Sequence, residues 1–195
     1  SIFNQLSLSE PSSWQDLMAA CELIKQAGYP PIFIGTKSNW PAAAWFDYLN
    51  LRINGLDFHQ QLTSGHIPFT DERVISVFKA WLEPIEKGYF ISDHDELTWR
   101  EGLPFLFRDL VGMSMIGNYV IQDIQETAVP RLGFFPFPQL DERVATYEEA
   151  PIDVFIVPKK ADNISLAKQF LAFAARHDVQ STLNKNLGVL SPNKF

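Results

Sequence analysis

The chain has 195 residues, of which 46% are hydrophobic, 20% charged and 13% aromatic. That is enough to bury a core without disulfides, in one or two compact domains. Sixteen Lys plus Arg against 23 Asp plus Glu leave a net charge of -7 and none of the basic excess that a phosphate backbone demands, so nucleic acid is not an expected partner. The single cysteine, Cys21, excludes an internal disulfide and any multi-cysteine metal site, and no apolar run approaches the roughly 20 residues that span a bilayer.

Ser12 and Ser13 precede an apolar series at Trp14, Leu17, Met18, Cys21 and Ile24, and Gly28 follows, which predicts an amphipathic helix. Cys21 lies on its apolar stripe and reads as a small buried hydrophobe. Pro30 and Pro31 bar continuation, and Ile32 to Ile34 form a short buried strand ending at Gly35. Thr36 to Asn39 form the loop that leaves it. Pro41 suits the first turn of a second helix carrying Trp45, Leu49 and Ile53, which should stop at Asn54-Gly55.

Thr70 is the expected cap of a third helix, with Asp71 and Glu72 in its first turn and Val74, Phe78, Trp81, Leu82 and Ile85 on its face up to Gly88. Pro84 should kink its last turn. Further expectations are a helix over 96–109 bearing Trp99, a strand over 113–116, and a helix over 118–125 that opens after Gly117. A strand at 132–138 should lead into an irregular acidic stretch at 141–153, then a β-branched strand at 154–157. A helix opening at Asn163 and a shorter one ending at Gly188 complete the chain. Strands alternating with helices point to an α/β architecture.

Signatures of chemistry are scarce. The ten glycines form neither a dinucleotide fingerprint nor a P-loop, and no GxSxG elbow is present. His59, His66, His94 and His177 lack metal-ligand spacing, and Asp93-His94-Asp95-Glu96 lacks the glycine turn and distal glutamate of a calcium loop. No cofactor, metal or catalytic residue is therefore expected. The aromatics are more informative. Trp40 follows a strand-exit loop that also carries Lys37, and Tyr119 follows Gly117-Asn118 at a helix start, which are positions where open α/β sheets bind ligands. Asn118 reads equally well as the cap of that helix, and Lys37 as a solvated lysine.

Several stretches, in order, resemble the extracellular solute-binding proteins of ABC importers, family 1, the carbohydrate type. They are Ser12-Ser13-Trp14-Gln15-Asp16-Leu17; Gly35 through Pro41 leading into Ala44-Trp45-Phe46; Phe69-Thr70-Asp71 through Lys87-Gly88-Tyr89-Phe90; and Val111 through Tyr119. Phe135-Pro136-Phe137-Pro138, Ala150-Pro151-Ile152-Asp153, Val157-Pro158-Lys159 and Ala167 to Phe173 continue the pattern. The resemblance implies a periplasmic-binding-protein-like fold of type II. In such a fold a sugar or oligosaccharide sits in a cleft between two lobes and is delivered to the permease subunits in the membrane.

By the same resemblance, Tyr119 stands where members usually carry a stacking Trp, with Asn118 before it. Trp40 and Lys37 contribute to the cleft, and Asp153 lies near the returning hinge. The resemblance departs at Asp109-Leu110-Val111, which lacks the usual Gly-Lys pair, and in the Tyr itself. Family members are longer, so the chain looks like a fragment without the N-terminal lobe. Residues 1–138 would be most of the C-terminal lobe, and 139–195 would cross the hinge into the other lobe, leaving an exposed apolar patch. The implied location is the periplasm or the extracellular face, free or lipid-anchored, with any signal segment outside this sequence. Two other readings are a cytoplasmic ligand-sensing domain of similar fold, and a sugar-acting enzyme using Glu148, Glu149 or Asp153 as acid and base.

Overall fold

The computed structural model describes residues 1–124, 129–150 and 154–188. A short helix α1 (Ile2–Gln5) precedes α2 (Trp14–Gln26), β1 (Ile32–Phe33), α3 (Trp40–Thr63), α4 (Glu72–Glu86), α5 (Trp99–Phe107) and β2 (Met113–Ser114). Two 3₁₀ turns, Asn118–Asp123 and Val129–Arg131, are followed by α6 (Ile164–Ala174) and α7 (His177–Leu187). The chain divides into two compact units, Ser1–Ile116 with Ile124–Glu149, and Gly117–Asp123 with Ala150–Phe195.

The first unit is built on a parallel pair in which Ile32 faces Met113 and Phe33 faces Ser114, with Phe90 bridging Ile32 on the other side. Parallel strands require crossovers, and helices supply them. α2 begins as its sequence predicts. The Ser13 hydroxyl accepts the Asp16 N–H at 3.1 Å and the Asp16 carboxylate accepts the Ser13 N–H at 3.0 Å, a reciprocal capping box. Leu17, Cys21 and Ile24 pack into one core with Ile32, Trp45, Leu49, Phe58, Val74 and Val77. Cys21 is fully buried, as its place on the stripe implies.

Several boundaries differ from expectation for local reasons. α3 breaks at Gly55, where its sequence predicts a stop. The glycine adopts φ 79°, ψ 175°, a conformation open essentially to glycine alone, and the helix resumes to bury Phe58 and Leu62. Asp71, not Thr70, caps α4, because its carboxylate is the stronger acceptor for the Arg73 N–H and also holds the Arg73 guanidinium. α5 starts at Trp99 and not at residue 96, because Thr98 and Glu101 form a second capping box. Pro84 is carried inside α4.

Residues 132–138 form no strand; the Phe137 ring lies 6.4 Å from that of Trp14 at the start of α2, and the next residue but one, Gln139, bridges Ser13. The expected helix over 118–125 is a 3₁₀ turn ending at Asp123, and its last residue lies outside the described residues.

In the second unit α6 is capped by the Asn163 side chain, and α7 ends on Gly188 in the left-handed conformation. Residues 154–157 are not a strand, since no neighbour pairs with them among the described residues. Val154 is 74% and Ile156 76% exposed, and Phe155 meets Phe170 edge-on at 5.8 Å. With Leu166, Phe170 and Phe173 also exposed, the apolar surface anticipated from the sequence is present in this unit.

Candidate functional site

Because β1 and β2 run parallel and in register, the chain leaves both at the same end of the pair. The β1 exit lies directly on the segment that opens α5. Thr36 donates its N–H to the His94 carbonyl at 2.7 Å and Lys37 donates its own to the Leu97 carbonyl at 3.2 Å. The Thr36 hydroxyl also meets His94 Nδ1 at 2.7 Å. At Gly35 the contact is so close that a Cβ would stand 2.5 Å from the Thr98 carbonyl carbon and 2.6 Å from the Trp99 nitrogen. Glycine is required there by space.

This backbone pairing brings two helix starts together. Trp40, the first residue of α3, is 40% exposed and sets its ring 6.3 Å from that of Trp99, the first residue of α5, at 72°. The Arg100 guanidinium lies over the Trp99 ring at 4.4 Å. Lys37 is exposed beside them. The Glu101 carboxyl is held below its ordinary pKa, chiefly by the Thr98 N–H and hydroxyl, with a smaller pull from the Lys37 charge. The result is an aromatic corner flanked by two cations and backed by a capped helix. A ring face takes the apolar C–H face of a pyranose, while charged and amide groups take its hydroxyls.

Lys37 and Trp40 thus come together as the sequence suggests, and they are joined by Trp99 and Arg100, which sequence reasoning missed. The available signal was the Thr98-x-x-Glu101 box, which places Trp99 at a helix start and not in the middle of an apolar stripe. Asn118 and Tyr119 belong to the second unit, in the 3₁₀ turn 118–123. Asn118 is exposed, Tyr119 is half-buried, and the Val120 N–H bonds the Gly117 carbonyl at 3.1 Å. Asp153 lies outside the described residues.

Of the carboxylates considered for acid–base work, Glu148 and Glu149 are engaged otherwise. Glu148 binds the Arg52 guanidinium at 2.6 Å and accepts the Tyr48 hydroxyl at 3.0 Å, and Glu149 lies 3.3 Å from His59 Nε2. Burial and the adjacent Glu148 push the Tyr48 phenol up to about 12. Arg52, 1% exposed, also donates to the Phe137 and Tyr147 carbonyls, so it ties down the segment that holds Glu148. Two surface clefts of about 430 and 380 Å³ open elsewhere in the first unit, near Tyr89 and near Phe137. Neither is lined by Lys37 or Trp40. Among the described residues no three His, Cys, Asp or Glu side chains group as a metal would need.

The family model for bacterial extracellular solute-binding proteins matches residues 1–181. The chain belongs to that family. Two curated relatives from Pyrococcus horikoshii are uncharacterized ABC transporter extracellular-binding proteins. One is 27% identical over 191 residues, covering 95% of this chain and 42% of its own length. The other is 26% identical over 177 residues, covering 90% and 40%. The chain therefore spans about two fifths of the length of these relatives.

Among solved structures, the bacterial solute receptor AcbH, described as having an exclusive preference for β-D-galactopyranose, superposes with a TM-score of 0.84. It shares 30% identity over 99% of this chain and 52% of its own. A chitin oligosaccharide binding protein superposes over 100% of this chain and 50% of its own at a TM-score of 0.78 and 20% identity, a likeness of fold. The α/β arrangement is thus that of the periplasmic sugar-binding proteins, and the members matched here are binding proteins of transporters. Among the described residues no helix is long and apolar enough to cross a membrane.

Proposed function

We propose that this chain is part of a carbohydrate receptor of an ABC-type importer, acting in the periplasm or at the extracellular face and handing its ligand to the membrane permease. The observation that carries the reading is the corner of exposed Trp40 and half-buried Trp99 at a strand exit, in a chain whose fold follows that of a galactose receptor along nearly its whole length. Lys37, Trp40, Asn118, Tyr119 and Asp153, with Trp99 beside Trp40, are the ligand-contacting residues of this reading. Residues 1–138 supply most of one lobe, and 139–195 cross to the other. Binding energy then goes into shifting a two-state hinge, and no bond in the ligand is broken. The engagement of Glu148 by Arg52 and Tyr48, and of Glu149 by His59, supports a non-catalytic role.

Covering the exposed part of the Trp40 indole with a pyranose removes on the order of 60 Å² of ring from water, about 1.5 kcal/mol. Trp40→Ala should therefore weaken binding roughly tenfold. The test is calorimetric and fluorescence titration of the complete reading frame containing this sequence with galactose, raffinose and chitin oligosaccharides, beside Trp40→Ala. Saturable binding of one saccharide, weakened in the variant, is expected. Silence toward all of them from folded protein refutes the carbohydrate reading, and turnover of the sugar during titration refutes the receptor reading.

A further inference from the structure

Two asparagines and a histidine on α3 form a directed chain of hydrogen bonds. Asn54 Nδ2 donates to Asn50 Oδ1 at 2.9 Å and to the Arg73 carbonyl at 3.4 Å. A main-chain carbonyl only accepts, so the Asn54 amide must present its NH₂ end here. That takes the Asn50 oxygen and leaves Asn50 only its own NH₂ to offer onward, 3.2 Å from His59 Nδ1. A donor facing Nδ1 requires a lone pair there, so the neutral imidazole carries its proton on Nε2. Nε2 stands 3.3 Å from Glu149 Oε1. Asn50 is fully buried and has no water to turn to. The chain of bonds also spans the break at Gly55, with both asparagines before it and His59 after it.

Its far end is a junction. Glu149 is the last residue of the first unit, and the second unit resumes at Ala150. The Glu149 N–H is donated to the Tyr48 hydroxyl at 3.3 Å, and Arg52 and Tyr48 hold Glu148 just before it. We propose that Asn50 is the positioning residue for this exit: by keeping the His59 proton on Nε2, it turns the electropositive edge of the ring to the Glu149 carboxylate and so holds the side chain on which the first unit ends. A solvated neutral imidazole divides between two tautomers, and the one protonated on Nδ1 would set a lone pair against that carboxylate. Asn50 removes that choice during folding. Only the effect on affinity rests on the reading of Asp153, four residues further along the chain, as a ligand contact.

The test uses the ¹⁵N-labelled complete reading frame at about pH 9, above the ordinary imidazole range, with the His59 signals assigned by their loss in His59→Gln. Long-range ¹H–¹⁵N spectra of the wild type should show Nδ1 bare and Nε2 protonated. Asn50→Asp can only accept, so a proton should appear on Nδ1. Asn54→Asp, at a half-buried position, makes the same prediction from the other end, because a carboxylate beside Asn50 Oδ1 forces that amide to turn over. In Asn50→Leu, exchange of the Glu149 amide should quicken roughly fivefold, the worth of one hydrogen bond, while amides in the middle of α2 keep their protection. Gln at 59 offers an N–H at about the reach of Nε2 and needs nothing at Nδ1, so adding Asn50→Leu to His59→Gln should not quicken Glu149 further. Affinity for β-D-galactopyranose should fall about threefold in Asn50→Leu.

A proton on Nδ1 in the wild type, a bare Nδ1 in both aspartate variants, or an Asn50→Leu effect on Glu149 that is undiminished in the His59→Gln background would each overturn the positioning role. Should Asn50→Leu fail to fold, the wild-type and Asn54→Asp spectra decide the matter without it. Unchanged galactopyranose affinity beside quickened Glu149 exchange would refute the part given to Asp153 and uphold Asn50, because the spectra and the exchange need no ligand.

Discussion

Replacing Arg52 by methionine should loosen the first unit at one identifiable place. Arg52 is 1% exposed and donates from Nε to the Phe137 carbonyl at 3.1 Å, from Nη1 to the Tyr147 carbonyl, and from Nη2 to Glu148 at 2.6 Å. Its guanidinium also lies 5.5 Å from the Tyr48 ring. Hydrogen bonds to a charged group contribute about 1.5–3 kcal/mol each, which sets a ceiling well above what will be observed. Glu148 is 53% exposed and will regain water when its partner is gone, so the ion pair itself deserves little weight. Methionine also restores most of the packing volume. The two carbonyls remain as the main loss, and the expected destabilisation is about 3 kcal/mol, roughly 6–12 °C in Tm for a domain of this size.

The loss should be local before it is global. Hydrogen exchange of the Gln139 and Trp14 amides, which bond across to the Ser12 and Gln139 carbonyls, should quicken, while amides in the middle of α2 keep their protection. Calorimetry and exchange mass spectrometry on Arg52→Met measure both. A destabilisation below about 1 kcal/mol, or uniform quickening across the unit, would refute the idea that one buried cation holds this segment.

Two further outcomes are expected. Gly35→Ala must push the Lys37 loop away from Thr98 and Trp99, because the obstruction is main chain that cannot rotate aside. Thermal unfolding should show about 1–3 kcal/mol of destabilisation together with lost saccharide affinity, and unchanged binding would sink the claim that this contact sets the corner. Asp71 and Asp141 are held at about 2, against an ordinary 3.8, chiefly by the Arg73 and Arg143 side chains. A carboxyl with a depressed folded pKa stabilises fully above its unfolded value and loses that contribution as pH falls through the folded one. Carboxyl ¹³C titration should therefore place both midpoints well below 3.8, and Arg73→Gln should return Asp71 toward 3.8. A midpoint near 3.8 in the wild type would contradict it.

Much of the first unit was legible because its signals are local. Ser13 and Asp16 lie three residues apart, the apolar stripe of α2 is read at helical spacing, and Pro30-Pro31 before Ile32 to Ile34 announces a strand. Gly55 does interrupt α3 as a glycine at the end of a stripe should, and what carried no local signal is the helical segment beyond it that buries Phe58 and Leu62. The run 154–157 has strand composition, but a strand is defined by what pairs with it, and residues alone do not name the neighbour. At the candidate site, Trp40 and Lys37 were found through the strand-exit rule, whereas Trp99 was hidden by its helical spacing with Leu103 and Leu106. Arg52 carried no signal at all. Its partners stand 85, 95 and 96 positions away, and an arginine within a helix ordinarily marks the solvent side.

Cys21 has a practical consequence. It is the only thiol in this chain, it is fully buried, and burial pushes its pKa up to about 12, so hardly any thiolate exists at neutral pH. Alkylating reagents should pass the native chain by. A cysteine introduced at exposed Asn39, next to Trp40 and outside the residues assigned to the ligand, would then be the one thiol that reacts. A fluorophore could be attached there with Cys21 left in place, and ligand capture could be read directly as light.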